Sequence, residues 1–428
     1  MLVIEKTEDV EDEDKMENIQ EKKRISRSAW LIVLCWLVYT CSYLGKLGYN
    51  ANITQIEADY RITHAQSGLV STFFFVAYGV GQVVNGLLCK KYPLRFAVLG
   101  GLLLSGAMNL AVGFASSFAF VKYLWLINGA ALSVLWPSLV RLLSETLAPK
   151  ERGKAVLVMG TTVATGTLFV YGFSALFVAL GAYKTMFIVA GVLLPSIAII
   201  WFFAYPRLTG RKESREERTV QPLSTERKAG MPGLWIPICI FAGFAVINNL
   251  VKDGLTTWVP SILKDTYNLP DYLSILLTLF LPICAVFGSS LVVLLRKKIH
   301  SFVLLCAFLF FTSACSIGTV IAFLSTDLFV ITLCAFALVS CLMAGVNNAV
   351  TSMIPMYWKD KVNSGMLAGV LNGFCYAGSA LSSFGLGLVA DEWGWTVTFW
   401  LLFSLCALAV VVGAIYALVQ RKKKISVL

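Results

Sequence analysis

PRLTGRKESREERTVQPLSTERKAG, residues 206–230, is the longest polar interruption in a chain of 428 residues. It carries seven Lys or Arg, and the sequence on either side of it is dominated by apolar runs. The chain is 58% hydrophobic and only 14% charged, with a mean hydropathy of +0.77. A soluble domain is nearer 45–50% apolar and about 25% charged. Working outward from 206–230, six apolar runs precede it, near 29–52, 66–89, 95–115, 117–146, 152–180 and 184–204. Six more follow, near 234–263, 272–295, 301–324, 327–358, 363–390 and 394–420. Runs of about 20 residues cross a hydrocarbon core of roughly 30 Å as helices. The short alternating segments of a membrane β-barrel are absent. The expected fold is therefore an all-α membrane protein with twelve transmembrane helices. They fall into two six-helix bundles, 29–205 and 232–420, joined by a linker at 206–231 and flanked by tails at 1–28 and 421–428.

Charge placement sets the expected orientation. Of the 35 Lys and Arg, 28 fall in the two tails and in the loops on the same side. The opposite side holds only Arg61, Lys122, Lys184 and Lys264. The positive-inside rule then puts both termini in the cytoplasm of a multi-pass protein, with the cell (inner) membrane as the expected location. The net charge of +11 is thus a topology signal. The bilayer accounts for it without a nucleic-acid partner, and a monomer is expected. The first 28 residues are charged throughout and lack the apolar core of a signal peptide, so they read as a solvated tail, disordered or a short surface helix. The eleven cysteines lie mostly inside apolar runs with no C-x-x-C pair. His64 and His300, the only histidines, fall in expected loops. No metal, no cofactor and no nucleophile–base pair is indicated, so an enzyme is not expected; the absence of G-x-x-x-x-G-K-[ST] argues against ATP as energy source.

The two halves resemble each other. APKERGKAVLVMGTTVATG (148–166) joins helices 4 and 5, and YWKDKVNSGMLAGVLNGFCYAG (357–378) joins helices 10 and 11. LGAYKTMF (180–187) and EWGWTVTF (392–399) close helices 5 and 11, setting Gly181 against Gly394. Parallel six-helix repeats of this kind place a transporter's site at the repeat interface near the midplane.

Once the basic residues at span ends are counted with the loops, three remain inside the helices: Lys46, Arg141 and Lys252. Lys46 in LGKLG (44–48) corresponds to Lys252 in LVKDG (250–254), one in the first helix of each half. Each lysine costs about 2.5–3.5 kcal/mol at the membrane centre. Across a shared cavity the pair would act as an anion clamp, because an anionic substrate relieves both penalties. The competing reading is that the lysines snorkel to the outer interface. Asp253 offers Lys252 a partner, although adjacent helical positions point about 100° apart. It is also the one carboxylate well inside a span, hence a candidate for proton coupling. Tyr39, Tyr43 and Lys46 share a helix face at i, i+4 and i+7. Arg141 and Glu145, near the terminus-side end of helix 4, form an i,i+4 pair suited to a gating latch with the following loop and its Arg152. Gly79, Gly81 and Gly86 on helix 2, and Gly365, Gly369 and Gly373 on helix 11, suit close helix packing.

These residues, with PKERG (149–153), YTCSYLGK (39–46), AYGVGQ (77–82), WPSLVR (136–141) and GFCYAG (373–378), resemble the organophosphate:phosphate antiporters of the major facilitator superfamily. The resemblance implies a carrier that exchanges an organic phosphate for inorganic phosphate by rocking two bundles. It implies binding-site tyrosines at Tyr39, Tyr43, Tyr78 and Tyr376, and phosphate-binding positions at Lys46 and Lys252, where that family carries arginines. A histidine of the family falls at Thr162, a lysine at Gln82, and a loop acid at Lys90. Asn249 completes the expected cavity lining. Point charges in place of guanidinium forks leave a carboxylate or mixed anion open as substrate, and the alternatives are a gradient-driven carrier of a carboxylate or neutral solute, or a membrane receptor for a sugar phosphate.

Overall fold

The computed structural model describes residues 2–88, 91–210, 235–326, 328–358, 362 and 364–422. The expected linker beyond 210 and the last six residues of the C-terminal tail lie outside them. The first half comprises α1 (Leu2–Ala51), α2 (His64–Leu88), α3 (Leu94–Gly113), α4 (Phe118–Thr146), α5 (Lys150–Ala179) and α6 (Thr185–Thr209). The second comprises α7 (Trp235–Tyr267), α8 (Asp271–Arg296), α9 (Phe302–Phe323), α10 (Phe329–Tyr357), α11 (364–393) and α12 (395–422). A short helix, Ile53–Tyr60, lies between α1 and α2.

Two boundaries differ from the sequence reading. The tail is one continuous helix with the first span, starting at Leu2. Pro206 does not end α6: that helix runs to Thr209 and stops at Gly210, whose φ of 68° supplies the left-handed turn. Proline ends a helix only where the missing N–H or the ring disturbs the preceding turn enough, and one interior proline is tolerated in a membrane helix. The other interruptions follow the same chemistry. α4 breaks at Val134, three residues before Pro137, and its counterpart α10 carries a π-turn at Ala349–Met353 just before Pro355.

Gly181 and Gly394, matched by the repeat, both take positive φ, 69° and 78°. Each reverses the chain between its bundle's fifth and sixth helices, a turn that only glycine makes without a Cβ clash.

Within the first bundle α1 packs on α5 and α6, α2 on α4, and α3 on α4 and α6. In the second, α7 packs on α8, α10 and α11, and α10 on α8 and α9. The bundles meet along two seams, α2 against α11 and α5 against α8, with a shorter contact of α1 with α7. The repeat that carries α2 onto α8 carries α11 onto α5, so the seams are one contact used twice.

Candidate anion-binding site between the bundles

The bundles are bonded to each other on the side away from the chain termini. His64, at the start of α2, has Nδ1 3.1 Å from Glu57 Oε1 of the preceding short helix. Its Nε2 faces Asp265 Oδ2 of α7, in the other bundle, at 3.2 Å. Both ring nitrogens stand within ion-pair distance of a carboxylate oxygen, an arrangement that favours the imidazolium form. Burial raises the carboxyl of Glu57 above the usual glutamate range, and the neighbouring His64 pulls it partly back. Asp391 of α11 accepts from the His64 and Ala65 amides of α2 at 3.0 and 2.7 Å. It thereby caps, from the opposite bundle, a helix end whose amides have no partner of their own. Trp258 and Trp395 pack on the His64 ring, and Trp395 Nε1 donates to Asp265 Oδ2 at 3.0 Å.

Just beneath this cluster the seams close backbone to backbone. A Cβ on Gly68 would collide with the Ser383 carbonyl, and one on Gly79 would come to 2.7 Å from Tyr376 Cβ. Thr72 Oγ1 donates to Ala380 O at 2.7 Å and accepts from Phe384 N at 3.2 Å. Gly81 packs instead on Ser133 within its own bundle, whereas a Cβ at Gly86 or Gly369 would meet nothing within 4 Å. The tight contacts are thus fewer than the glycine spacing implies, and they gather where the helices cross. Asn50 Nδ2 donates to Thr257 Oγ1 at 2.9 Å while Asn50 Oδ1 accepts from Ser71 Oγ. Tyr171 OH donates to Thr256 O at 3.0 Å.

The two intramembrane lysines lie one turn before this last layer, Lys46 four residues ahead of Asn50 and Lys252 four ahead of Thr256. Lys46 does not snorkel outward. Its Nζ stands over the rings of Tyr78 at 4.4 Å, and of Tyr43 and Tyr376 at 5.5 Å each, so three helices wall it. Among the described residues it has no ion pair or hydrogen bond. Cation–π contacts of this kind recover about 0.5–2 kcal/mol, short of what water provides to an ammonium. Tyr39 extends the aromatic wall, edge-on to Tyr43 at 5.7 Å and 4.7 Å from Trp136. Tyr78 and Tyr376 meet across the seam at 5.0 Å, and Gln82 Nε2 donates to Tyr78 OH at 2.9 Å.

Lys252 is in a different condition. Its Nζ reaches Asp253 Oδ1 at 3.2 Å, because the long side chain swings through the 100° that separates adjacent positions. Asn249 Nδ2 donates to Asp253 Oδ2 at 3.2 Å, and Ser379 Oγ of α11 donates to the same oxygen. Thr162 is fully buried with its hydroxyl given to Met159 O of its own helix. At the terminus-side end of α4, Arg141 Nε donates to Glu145 Oε1 at 2.7 Å. Arg152, exposed, donates to Leu147 O at 3.1 Å, closing the turn between α4 and α5. The His64 cluster is what the sequence reading missed. Glu57, Asp265 and Asp391 are far apart in the chain, and only their common position at helix ends on one side hinted at a meeting.

A family model described as Major Facilitator Superfamily matches residues 35–382. The chain belongs to the major facilitator superfamily. Among curated proteins, it is 22% identical over 406 residues to the "Probable hexose phosphate transport protein" of Chlamydia muridarum, covering 86% of each chain. It is 29% identical over 123 residues to the "Membrane sensor protein UhpC" of Salmonella typhimurium. That match spans 29% of this chain and only 28% of the sensor's length. Among solved structures, a bacterial homologue of the human lysosomal transporter Spinster, inward-facing and occupied, superposes with a TM-score of 0.71 at 13% identity. It covers 92% of this chain and 97% of that one. The protein is thus a multi-pass membrane protein of a transporter superfamily, resembling its organophosphate:phosphate antiporters at low identity.

Proposed function

We propose that this major facilitator protein is a secondary carrier of a small organic anion, exchanging an organic phosphate for inorganic phosphate by alternating access. One observation carries the reading: an ammonium, Lys46, held without an ionic partner among three tyrosine rings at the seam of two bundles. An ion-sized anion at that point removes the cost of the unpaired charge. Tyr39, Tyr43, Tyr78 and Tyr376 would shape the cavity around it, with Lys252 and Asn249 one turn away on the second bundle. Asp253 holds Lys252 in place.

With both termini in the cytoplasm of the cell membrane, the bonded layer from His64 to Thr257 is the outer gate, and the state described is closed to the outside. Binding couples to motion because neutralising Lys46 lowers the penalty for sealing the cavity on the other side. There Arg141, Glu145 and Arg152 would form the inner latch. The units that rock are the bundles 29–205 and 232–420, moving as a monomer in the bilayer.

The test is exchange of inorganic and organic phosphates by proteoliposomes preloaded with phosphate. Wild-type protein is expected to exchange, and Lys46→Ala to lose it. Exchange that survives both Lys46→Ala and Lys252→Ala would sink the proposal. A second reading, a receptor that senses a sugar phosphate with the same site, rests on the resemblance to the sensor protein. Its signature is saturable binding without exchange.

A further inference from the structure

The charges around the cavity do not add up to a clamp of two free lysines. Lys46 is unpaired among the described residues, whereas Lys252 Nζ lies 3.2 Å from Asp253 Oδ1. The carboxylate is held on both oxygens. Ser379 Oγ and Asn249 Nδ2 donate to Oδ2, and Asn249 is oriented in turn by Asn248 Nδ2, which donates to its Oδ1 at 2.9 Å. Support on both oxygens is what an ionised carboxylate needs when little water surrounds it.

Asp253 and Lys46 are tied to neighbouring positions of α11. Tyr376, under the Lys46 ammonium, and Ser379, on the Asp253 carboxylate, are three residues apart on α11, about 5 Å along the helix axis. Among the described residues the site thus brings together two ammonium groups, Lys46 and Lys252, and one carboxylate, Asp253, a net charge of one positive.

We propose that Asp253 sets the charge of the bound substrate, making this a site for monoanions that discriminates against dianions. The inference rests on the anion-carrier reading above. A monoanion beside Lys46 leaves the cavity neutral and the Lys252–Asp253 pair in place. A dianion must either carry an unneutralised charge into a site of low effective dielectric or displace Asp253 from Lys252, and the released carboxylate then repels it. For a phosphate ester, whose second ionisation falls near pH 6, the form accepted is the singly protonated one. Asp253 is thus a specificity-determining residue, and the same lysines without it would favour the doubly charged ester.

Two tetrahedral anions of fixed charge test this without relying on phosphate or on pH: methanesulfonate, a monoanion, and sulfate, a dianion. Apparent affinities come from the thermal stabilisation of the purified full-length protein at constant ionic strength, since a ligand that binds the folded state raises Tm by mass action. Wild-type protein is expected to bind methanesulfonate more tightly than sulfate. Asp253→Asn, which keeps a carbonyl oxygen for Ser379 but removes the charge, should reverse the order, with sulfate gaining about tenfold or more. The wild-type comparison stands by itself if the variant does not fold. Tighter sulfate binding in the wild type, or an order that Asp253→Asn leaves unchanged, overturns the charge assignment while the anion-carrier reading survives. Stabilisation by neither anion in either protein removes the anion site and both readings with it.

Discussion

Replacing His64 with alanine tests the outer gate. Of the two carboxylates facing the His64 ring, the one across the bundle boundary is Asp265, with Nε2 to Oδ2 at 3.2 Å and side-chain exposures of 21% and 36%. A hydrogen bond to a charged group is worth about 1.5–3 kcal/mol when well sheltered. Partial exposure of the Asp265 carboxylate screens it, so about 1–2 kcal/mol is the reasonable share. That corresponds to about a 5–30-fold shift of the open–closed equilibrium toward open. Glu57 contacts His64 from the same bundle, so it orients the ring and does not tie the halves. Hydrogen exchange of the amides in 64–72 and 383–391 reads the opening directly, because local opening sets the exchange rate. His64→Ala should accelerate exchange there by the stated factor and leave α3 and α9 unchanged. Combining it with Asp265→Ala should give much less than the sum of the two single effects, since both remove one contact. Unchanged exchange at 64–72, or full additivity with Asp265→Ala, would refute the assignment of this contact as a link between the bundles.

Two further perturbations probe the seam. Gly68→Val places side-chain atoms against the Ser383 carbonyl backbone, which cannot yield as a flexible side chain does. Overpacking of this kind costs about 1–3 kcal/mol, so the protein is expected to remain folded while outer cysteine labels across α2 and α11 become accessible; normal closure would contradict it. Asp391→Asn keeps an acceptor for the His64 amide but loses the charge at the α2 N-terminus, a loss of about 0.5–2 kcal/mol. Faster exchange of the His64 and Ala65 amides than of those one turn further into α2 is the expected result.

Much of the fold was legible because membrane insertion writes itself into composition. Twelve apolar runs, a basic side and the central 206–230 interruption follow from lipid thickness and charge placement, and the two glycines matched by the repeat, Gly181 and Gly394, share a positive φ in the structure. Helix ends were less legible. Whether Pro206 stops a helix depends on tertiary surroundings, and α1 extends into a charged segment whose local sequence argues for neither state. At the candidate site, Lys46 stood out because charge in an apolar run has few bland explanations. Its three-tyrosine enclosure draws on α1, α2 and α11, and the contributions of Tyr78 and Tyr376 came only from resemblance. The Lys252–Asp253 pair was hardest to foresee, because helix geometry alone separates adjacent side chains and only the reach of a lysine overcomes it. The bonded layer proposed as the outer gate was not readable, since its members approach only after both bundles have packed.

Equilibrium binding of inorganic phosphate to purified wild-type protein and to Lys46→Gln tests the central claim most directly. Glutamine, one bond shorter than lysine, keeps a polar side chain and removes its charge. Loss of one charge-assisted contact of about 1.5–3 kcal/mol predicts at least tenfold weaker binding in the variant, with the Tm of the unliganded protein unchanged or raised, because a half-buried charge unpaired among the described residues has been removed. Equal affinity in the two proteins would contradict the account, and so would a variant destabilised without ligand.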